Sequence, residues 1–209
     1  RREWILINDP SVDWHIVQEA GSSLLLHIIA LPDLKDTANA QVVNITVEHV
    51  AKDCRTEIFG MGLLGGEQRC DITTKVLHTV GGGYSSQLIK MVLGGTSKAS
   101  FKGELKIMPD AQHVEAYQTN RNILLSRHAE MITEPQLEIY ADDVKCSHGA
   151  TIGRLNEEEQ FYMRSRGITL EDAKVLQMIS FIAPVLENIK DEAERENLFV
   201  RLENSIRSL

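Results

Sequence analysis

Short β-rich runs recur at a nearly constant spacing along the first three quarters of the chain, and this spacing restricts the possible folds more than any other feature. The starts of one series lie 29, 29 and 30 residues apart, at Thr56, Ser85, Val114 and Val144. The starts of a second series lie 27, 28 and 31 residues apart, at Asn44, Asp71, Ala99 and Glu130. The two series alternate, and Gly, Asn, Asp or Pro separate the runs.

A near-constant step without matching residues indicates a solenoid in which each coil adds one strand to each of two faces. Strands one coil apart then pair in parallel without hairpins, which agrees with the scarcity of Asn-Gly and Asp-Gly turns. An antiparallel sandwich also has strands that recur every roughly 8–12 residues. The sequence therefore favours a mainly β solenoid domain over residues 1–153 and leaves the sandwich as the alternative.

After Gly153 the pattern becomes helical, which predicts a small C-terminal α-helical domain over residues 154–209. Asn156 precedes three glutamates and Thr169 precedes Leu-Glu-Asp, so each residue is expected to cap the start of a helix. The apolar residues of the second helix follow a 3.6-residue stripe, formed by Val175, Met178, Ile179, Ile182, Leu186 and Ile189.

Pro184 interrupts this stripe, so we expect a kink or break just before it, and a third helix is expected from about residue 191. Helices this short need a packing partner in water. We expect them to close the open end of the solenoid, where a free strand edge would otherwise invite aggregation. The alternative is that part of their apolar surface binds another protein.

Charge and composition exclude several classes of function. The formal charge of −8 argues against nucleic acid or an anionic membrane as the main partner. No apolar run approaches the roughly 20 residues of a membrane span, and no secretory signal precedes Trp4. Three cysteines without C-x-x-C spacing favour a reducing compartment, so we expect a cytoplasmic protein. The chain begins at Arg1 without methionine, which suggests a fragment of a longer protein.

Residues 140–153 concentrate reactive side chains. In a strand, Cys146 and His148 lie on the same face, roughly 7 Å apart along the chain. One interpretation is a buried cysteine beside a hydrogen-bonded histidine. The other is half of a metal site in the last coil, completed by ligands from another chain. The remaining histidines His78, His113 and His128 lack ligand spacing and are expected at the surface or at coil ends.

Asp142 and Asp143 raise an enzymatic alternative, because solenoid proteins include carbohydrate-processing enzymes and paired carboxylates cleave glycosidic bonds. Adjacent acids on an extended chain diverge, however, and Ala-Asp-Asp before a strand is typical of a turn. A content of 5% aromatic residues also leaves little for a sugar-binding groove. The turn is the favoured interpretation.

Five motifs carry a resemblance to a known family. They are S-K-A-S-F-K-G at 97–103, P-D-A-Q at 109–112, A-Y-Q-T-N at 116–120, P-Q-L-E-I-Y-A-D-D-V-K-C-S-H-G-A-T at 135–151 and F-Y-M-R-S-R-G at 161–167. In this order they closely resemble the SufD family, subunits of the Suf iron–sulfur cluster assembly machinery. The strong match covers roughly residues 97–170. SufB proteins carry glutamate after the motif histidine, where this chain has Gly149.

The resemblance implies a right-handed parallel β-helix followed by C-terminal helices, in a subunit that is not itself an enzyme. It implies pairing with SufB through the ends of the two β-helices, and binding of the SufC ATPase by the helices. His148 is the expected ligand of a transient iron–sulfur cluster, with a SufB cysteine as co-ligand, and Cys146 is a second candidate. A purely structural partner of SufB is the alternative. The isolated chain could also form a homodimer. Members of the family also carry an N-terminal helical region, and we expect this sequence to be a fragment that starts without it.

Overall fold

The computed structural model describes residues 2–31 and 40–209, which form eleven strands and then three helices. The strands are β1 (Arg2–Ile7), β2 (Ser11–Gln18), β3 (Ser23–Ala30), β4 (Ala40–His49), β5 (Arg55–Leu64), β6 (Arg69–His78), β7 (Tyr84–Leu93), β8 (Lys98–Ile107), β9 (Glu115–Leu124), β10 (Glu130–Ile139) and β11 (Lys145–Gly153). The helices are α1 (Glu157–Ser165), α2 (Leu170–Leu186) and α3 (Glu192–Arg207).

All sheet pairing is parallel and joins strands one coil apart, which confirms the solenoid and excludes the antiparallel sandwich. The odd-numbered strands form a first sheet of six and the even-numbered strands a second sheet of five. Arg55 pairs with Tyr84, and Arg69 with Lys98, each one step of 29 residues later. One predicted strand start differs from the structure: β4 begins at Ala40, before the predicted start at Asn44.

The inward side chains of the two sheets form one core. Along β5 and β7 the inward row is apolar over most of its length, with Ile58 and Leu64 on one strand and Ile89 and Leu93 on the next. Burying such a side chain contributes roughly 1.5–3 kcal/mol each. The core therefore runs along the solenoid axis from coil to coil.

The helices pack on the outer face of the first sheet, so the expectation that they close the end of the solenoid is wrong. The second core joins outward residues of that sheet, such as Met61, Leu63 and Val92, with the apolar stripe of α2. Lys90 reaches out of the same face and its Nζ donates a 2.6 Å hydrogen bond to the carbonyl of Phe181. The apolar stripe was recognisable in the sequence, whereas its partner surface was not, because outward apolar residues of a strand look like core residues.

The helix starts agree with the sequence. The Asn156 side chain accepts hydrogen bonds from the main-chain N–H groups of Glu158 and Glu159, and that of Thr169 accepts one from Asp172. The break predicted before Pro184 does not occur, since α2 continues to Leu186. The two-domain division at residues 153 and 154 stays a prediction. None of the described helices is long and apolar enough to cross a membrane.

Candidate functional site

The candidate site lies on β11, the last strand of the first sheet. This strand pairs with β9 on one side, and within the described residues no strand pairs with its other edge. Cys146 is in register with Ala116 and His148 with Gln118, both of which are buried and face the interior. Cys146 and His148 therefore share the inward-facing row, as the alternation of strand side chains predicted.

The second sheet ends at the same place. Its last strand β10 pairs only with β8 in the described part of the chain, and it carries Pro135, which has no main-chain N–H to offer a neighbouring strand. The interior of the solenoid is open beside these two edges, and Ile139 and Ile152 remain 41% and 47% exposed there. Apolar and ligand-type side chains are thus presented together at one end of the molecule.

The two candidate ligands differ in environment. His148 is exposed, whereas Cys146 is partly buried and packs against the core. Burial raises the pKa of the Cys146 thiol, against a smaller opposing effect of its main-chain hydrogen bond with Ala116. A thiol must lose its proton to bind a metal, so this environment disfavours Cys146 as a ligand relative to an exposed imidazole.

Beyond these two donors, the described part of the chain offers no ready-made metal site. Among residues 2–31 and 40–209, no group of three or more His, Cys, Asp and Glu side chains is arranged to hold a metal ion. Tetrahedral metal sites need about four ligands. Cys146 and His148 are consequently an incomplete set on their own.

The coil beneath the site contains a row of buried amides that the sequence reasoning missed. Gln118, Asn120 and Asn122 are 0–2% exposed and all point inward from β9. Polar residues at alternate positions of a strand are the signal that could have identified the row. That signal was overlooked because such alternation usually marks a solvent-facing side.

Asp142 and Asp143 lie in the turn before β11. The main-chain N–H of Asp143 donates to Gln112 Oε1 at 2.9 Å, and its carbonyl accepts from the N–H of His113. The Asp143 carboxylate pairs with the His113 ring at 2.9 Å, and both side chains are about three quarters exposed. These contacts tie the turn to the preceding coil, which supports the interpretation of the two acids as turn residues.

A separate apolar surface lies on the helices. A groove of about 860 Å³ runs between α1, α2 and β9, and its lining includes Tyr162, Met163 and Leu176. Phe161 and Tyr162 on α1 are 73% and 59% exposed. Large exposed aromatic residues on one helix are typical of surfaces that bind another protein.

Comparison with known proteins identifies similar sequences. The family described as "SUF system FeS cluster assembly, SufBD core domain" matches residues 18–181. The iron–sulfur cluster assembly protein SufD of Escherichia coli is 41% identical over 133 residues, which cover 64% of this chain and 31% of that protein.

Two further relatives extend the match. An iron–sulfur cluster assembly SufBD family protein of Synechocystis is 36% identical over 70% of this chain and 32% of its own length. The SufD protein of Bacillus subtilis is 30% identical over 82% of this chain and 38% of its own length. The matched region thus spans about a third of each relative.

Proposed function

The chain belongs to the SufBD core family of the SUF iron–sulfur cluster assembly system, and we propose that it is a non-catalytic scaffold subunit that holds a nascent cluster jointly with a partner. The observation that carries the proposal is the position of His148 and Cys146 on the inward row of an edge strand. In this proposal the cluster is cargo that is passed on, and His148 is its principal ligand from this chain.

The partner at the open end is proposed to be SufB. An edge strand offers unpaired main-chain N–H and C=O groups, and a second solenoid can continue the stack by pairing with them. Such a partner would cover Ile139 and Ile152 and bring a cysteine beside His148. Two copies of this chain could use the same edges, so a homodimer of the isolated chain is also proposed.

The helices are proposed to bind the SufC ATPase, through which ATP hydrolysis would act on the assembled complex. The supporting observation is the exposure of Phe161 and Tyr162 on α1, where Tyr162 also lines an apolar groove. Deletion of the helices is a poor test, because it would also uncover Met61 and Leu63 on the sheet. Phe161→Ala is the sharper test, since the side chain is 73% exposed and its loss leaves the core intact.

For that test we expect Phe161→Ala to weaken capture of SufC. Val200→Ala is the matched control, because Val200 is similarly exposed, at 61%, but lies on α3 and not on α1. Equal capture by both variants would remove the proposed role of α1.

The ligand proposal is tested by anaerobic reconstitution of the complex with SufB and SufC, followed by visible absorption spectroscopy. We expect His148→Ala to lose most of the cluster absorption. Ser147→Ala, one residue away on the opposite face, should retain it. Normal cluster formation by His148→Ala would leave only a structural role beside SufB.

A further inference from the structure

The amide row beneath the candidate site contains one atom whose bonding capacity is unused. Asn120 and Asn122 bond to each other, with Asn122 Nδ2 donating to Asn120 Oδ1 at 2.7 Å. Their amides also donate to the main-chain carbonyls of Ile89 and Thr151. By contrast, Gln118 Oε1 is sealed from solvent and accepts no hydrogen bond from the described residues. Buried amide oxygens are nearly always bonded, so this one requires an explanation.

The orientation of the Gln118 side chain is set by the preceding coils. Its Nε2 faces Gln87 Oε1 at 3.5 Å, and Gln87 in turn accepts a 2.6 Å hydrogen bond from Thr74. The oxygen and nitrogen of an amide point in divergent directions. With its nitrogen directed toward the coil before, Gln118 directs its oxygen away from that coil.

Gly103 on the opposite sheet makes room for this amide. A Cβ at position 103 would overlap Gln118 Nε2 and would lie 2.7 Å from Phe101 Cζ. Gly103 belongs to the motif S-K-A-S-F-K-G, so this motif now has a physical role. It lets a long polar side chain cross the interior directly below the open end.

His148 is the next residue along the stack. It is in register with Gln118 on the adjacent strand, about 4.8 Å away along the hydrogen-bonding direction, and faces the same way. On the facing strand β10, the residue stacked on Gly103 is Pro135. Neither Phe101, Gly103 nor Pro135 has a side-chain hydrogen-bond donor. Thr133 on β10 also carries a buried hydroxyl without a partner among the described residues, but it is in register with Phe101. The imidazole of His148 has a donor and is in register with Gln118 itself.

We propose that Gln118 is a positioning residue for His148: its Oε1 accepts a hydrogen bond from the Nδ1–H of His148. The bond fixes the neutral ring in the Nδ1-protonated form, which leaves the lone pair on Nε2 facing outward from the end of the solenoid. A ligating histidine usually donates its other ring N–H to such an acceptor, which orients the ring. The inference rests on the proposed ligand role of His148 and adds which ring nitrogen binds the cargo.

The test is ¹⁵N NMR of the histidine rings in the metal-free chain at pH 8, where long-range couplings identify the protonated nitrogen. Comparison with His148→Ala assigns the signal. We expect the wild-type ring to be mainly Nδ1-protonated. Gln118→Met should lower the ratio of the Nδ1-protonated to the Nε2-protonated form about fivefold, the effect of one neutral hydrogen bond of about 1 kcal/mol.

Two variants separate the hydrogen bond from a packing effect. Gln118→Glu keeps an acceptor oxygen and should retain the Nδ1-protonated form. Gln41→Met removes a buried amide that is bonded by Cys70, outside the contacts that orient Gln118, and should leave the ratio unchanged. A wild-type ring that is mainly Nε2-protonated would overturn the proposal without any variant, as would a ratio that Gln118→Met leaves unaltered.

The NMR experiment contains neither metal nor partner, so it is independent of cluster assembly. Its failure would remove the Gln118 hydrogen bond and leave the ligand role of His148 standing. Normal reconstitution by His148→Ala would remove the ligand role and leave the hydrogen bond standing.

Discussion

The rings of His49 and His78 lie edge to face with their centroids 4.4 Å apart, at the ends of two neighbouring strands of the second sheet. Both side chains are fully buried. The Nε2 of His49 is hydrogen-bonded to the Thr56 hydroxyl, and that of His78 to the Ser85 hydroxyl. Both Nδ1 atoms lie about 3 Å from the position that a Cβ on Gly83 would occupy, and neither has a hydrogen-bond partner among the described residues. A proton added to either ring would be buried without compensation.

Acid is therefore expected to destabilise the fold through this pair. Burial lowers the pKa of His49 from 6.5 to about 4, and burial with the nearby His49 lowers that of His78 to about 3. The unfolded chain takes up these protons near pH 6.5 while the folded chain does not, so stability falls as the pH drops below 6.5. Between pH 7 and 5 each histidine should cost about 2 kcal/mol in the free energy of unfolding. Urea denaturation at a series of pH values measures this loss.

The control is His15→Gln, because the His15 side chain is 58% exposed and lies outside the buried pair. The double variant His49→Gln with His78→Gln should be less stable at pH 7 but should lose less further stability on acidification. Retention of the full wild-type pH slope by the double variant would show that other groups cause it.

A second prediction concerns the close stacking of coils. A Cβ on Gly60 would lie 2.5 Å from Ile89 Cδ1 on the adjacent strand. Gly60→Ala should therefore lower the free energy of unfolding by about 1–3 kcal/mol through overpacking. Ile89→Val removes the obstructing Cδ1. In the double variant, the loss in free energy of unfolding should therefore be about 1 kcal/mol smaller than the sum of the losses in the two single variants.

The matched control for this cycle is Gly149→Ala. A Cβ at position 149 would meet nothing within 4 Å, so the change should stay within about 0.5 kcal/mol. Chemical denaturation of the four proteins of the cycle gives the coupling energy. A coupling near zero would mean that the strands move apart instead of competing for the space.

Much of the fold was predictable because a solenoid repeats the same physical problem in every coil. The strand spacing near Thr56 and Ser85 predicted parallel stacking, and the alternation of side chains placed Cys146 and His148 on one row. The caps at Asn156 and Thr169 were predictable because they depend on local hydrogen bonds alone. These features need only short-range or strictly periodic information.

The remaining features depend on contacts between distant segments. Lys90 looks like a surface residue in the sequence, yet it is 7% exposed because α2 covers it. His78 was expected at the surface or at a coil end. It does end a strand, but it is buried against His49, which lies one coil away. No local pattern shows which side of a two-sided strand the helices will cover.

A third prediction separates cluster assembly from carbohydrate cleavage. The hydrogen bonds of the turn use the main chain of Asp143, so Asp143→Asn keeps them and removes the charge that pairs with His113. We expect the double variant Asp142→Asn with Asp143→Asn to support cluster formation at the wild-type level. An exposed ion pair contributes only about 0–1 kcal/mol, so stability should change little.

The measurement is reconstitution with SufB and SufC beside an assay for polysaccharide cleavage by the isolated chain. His148→Ala is the positive control for loss of cluster formation. Polysaccharide cleavage by the wild type that disappears in the Asp variant would contradict the proposal and favour the enzyme.

The last prediction tests the open end of the solenoid as the surface that pairs with SufB. Ile152 is 47% exposed and belongs to the inward row of β11, whereas Ile132 is 58% exposed on the outer face of β10. An aspartate at 152 would be buried unpaired on association, so Ile152→Asp should weaken binding to SufB by at least about tenfold, or 1.4 kcal/mol. Ile132→Asp carries the same change and should alter the affinity less than about twofold. Titration of labelled SufB measures the affinity of each variant. A larger loss of affinity for Ile132→Asp than for Ile152→Asp would show that SufB binds the outer face of the second sheet and not the open end.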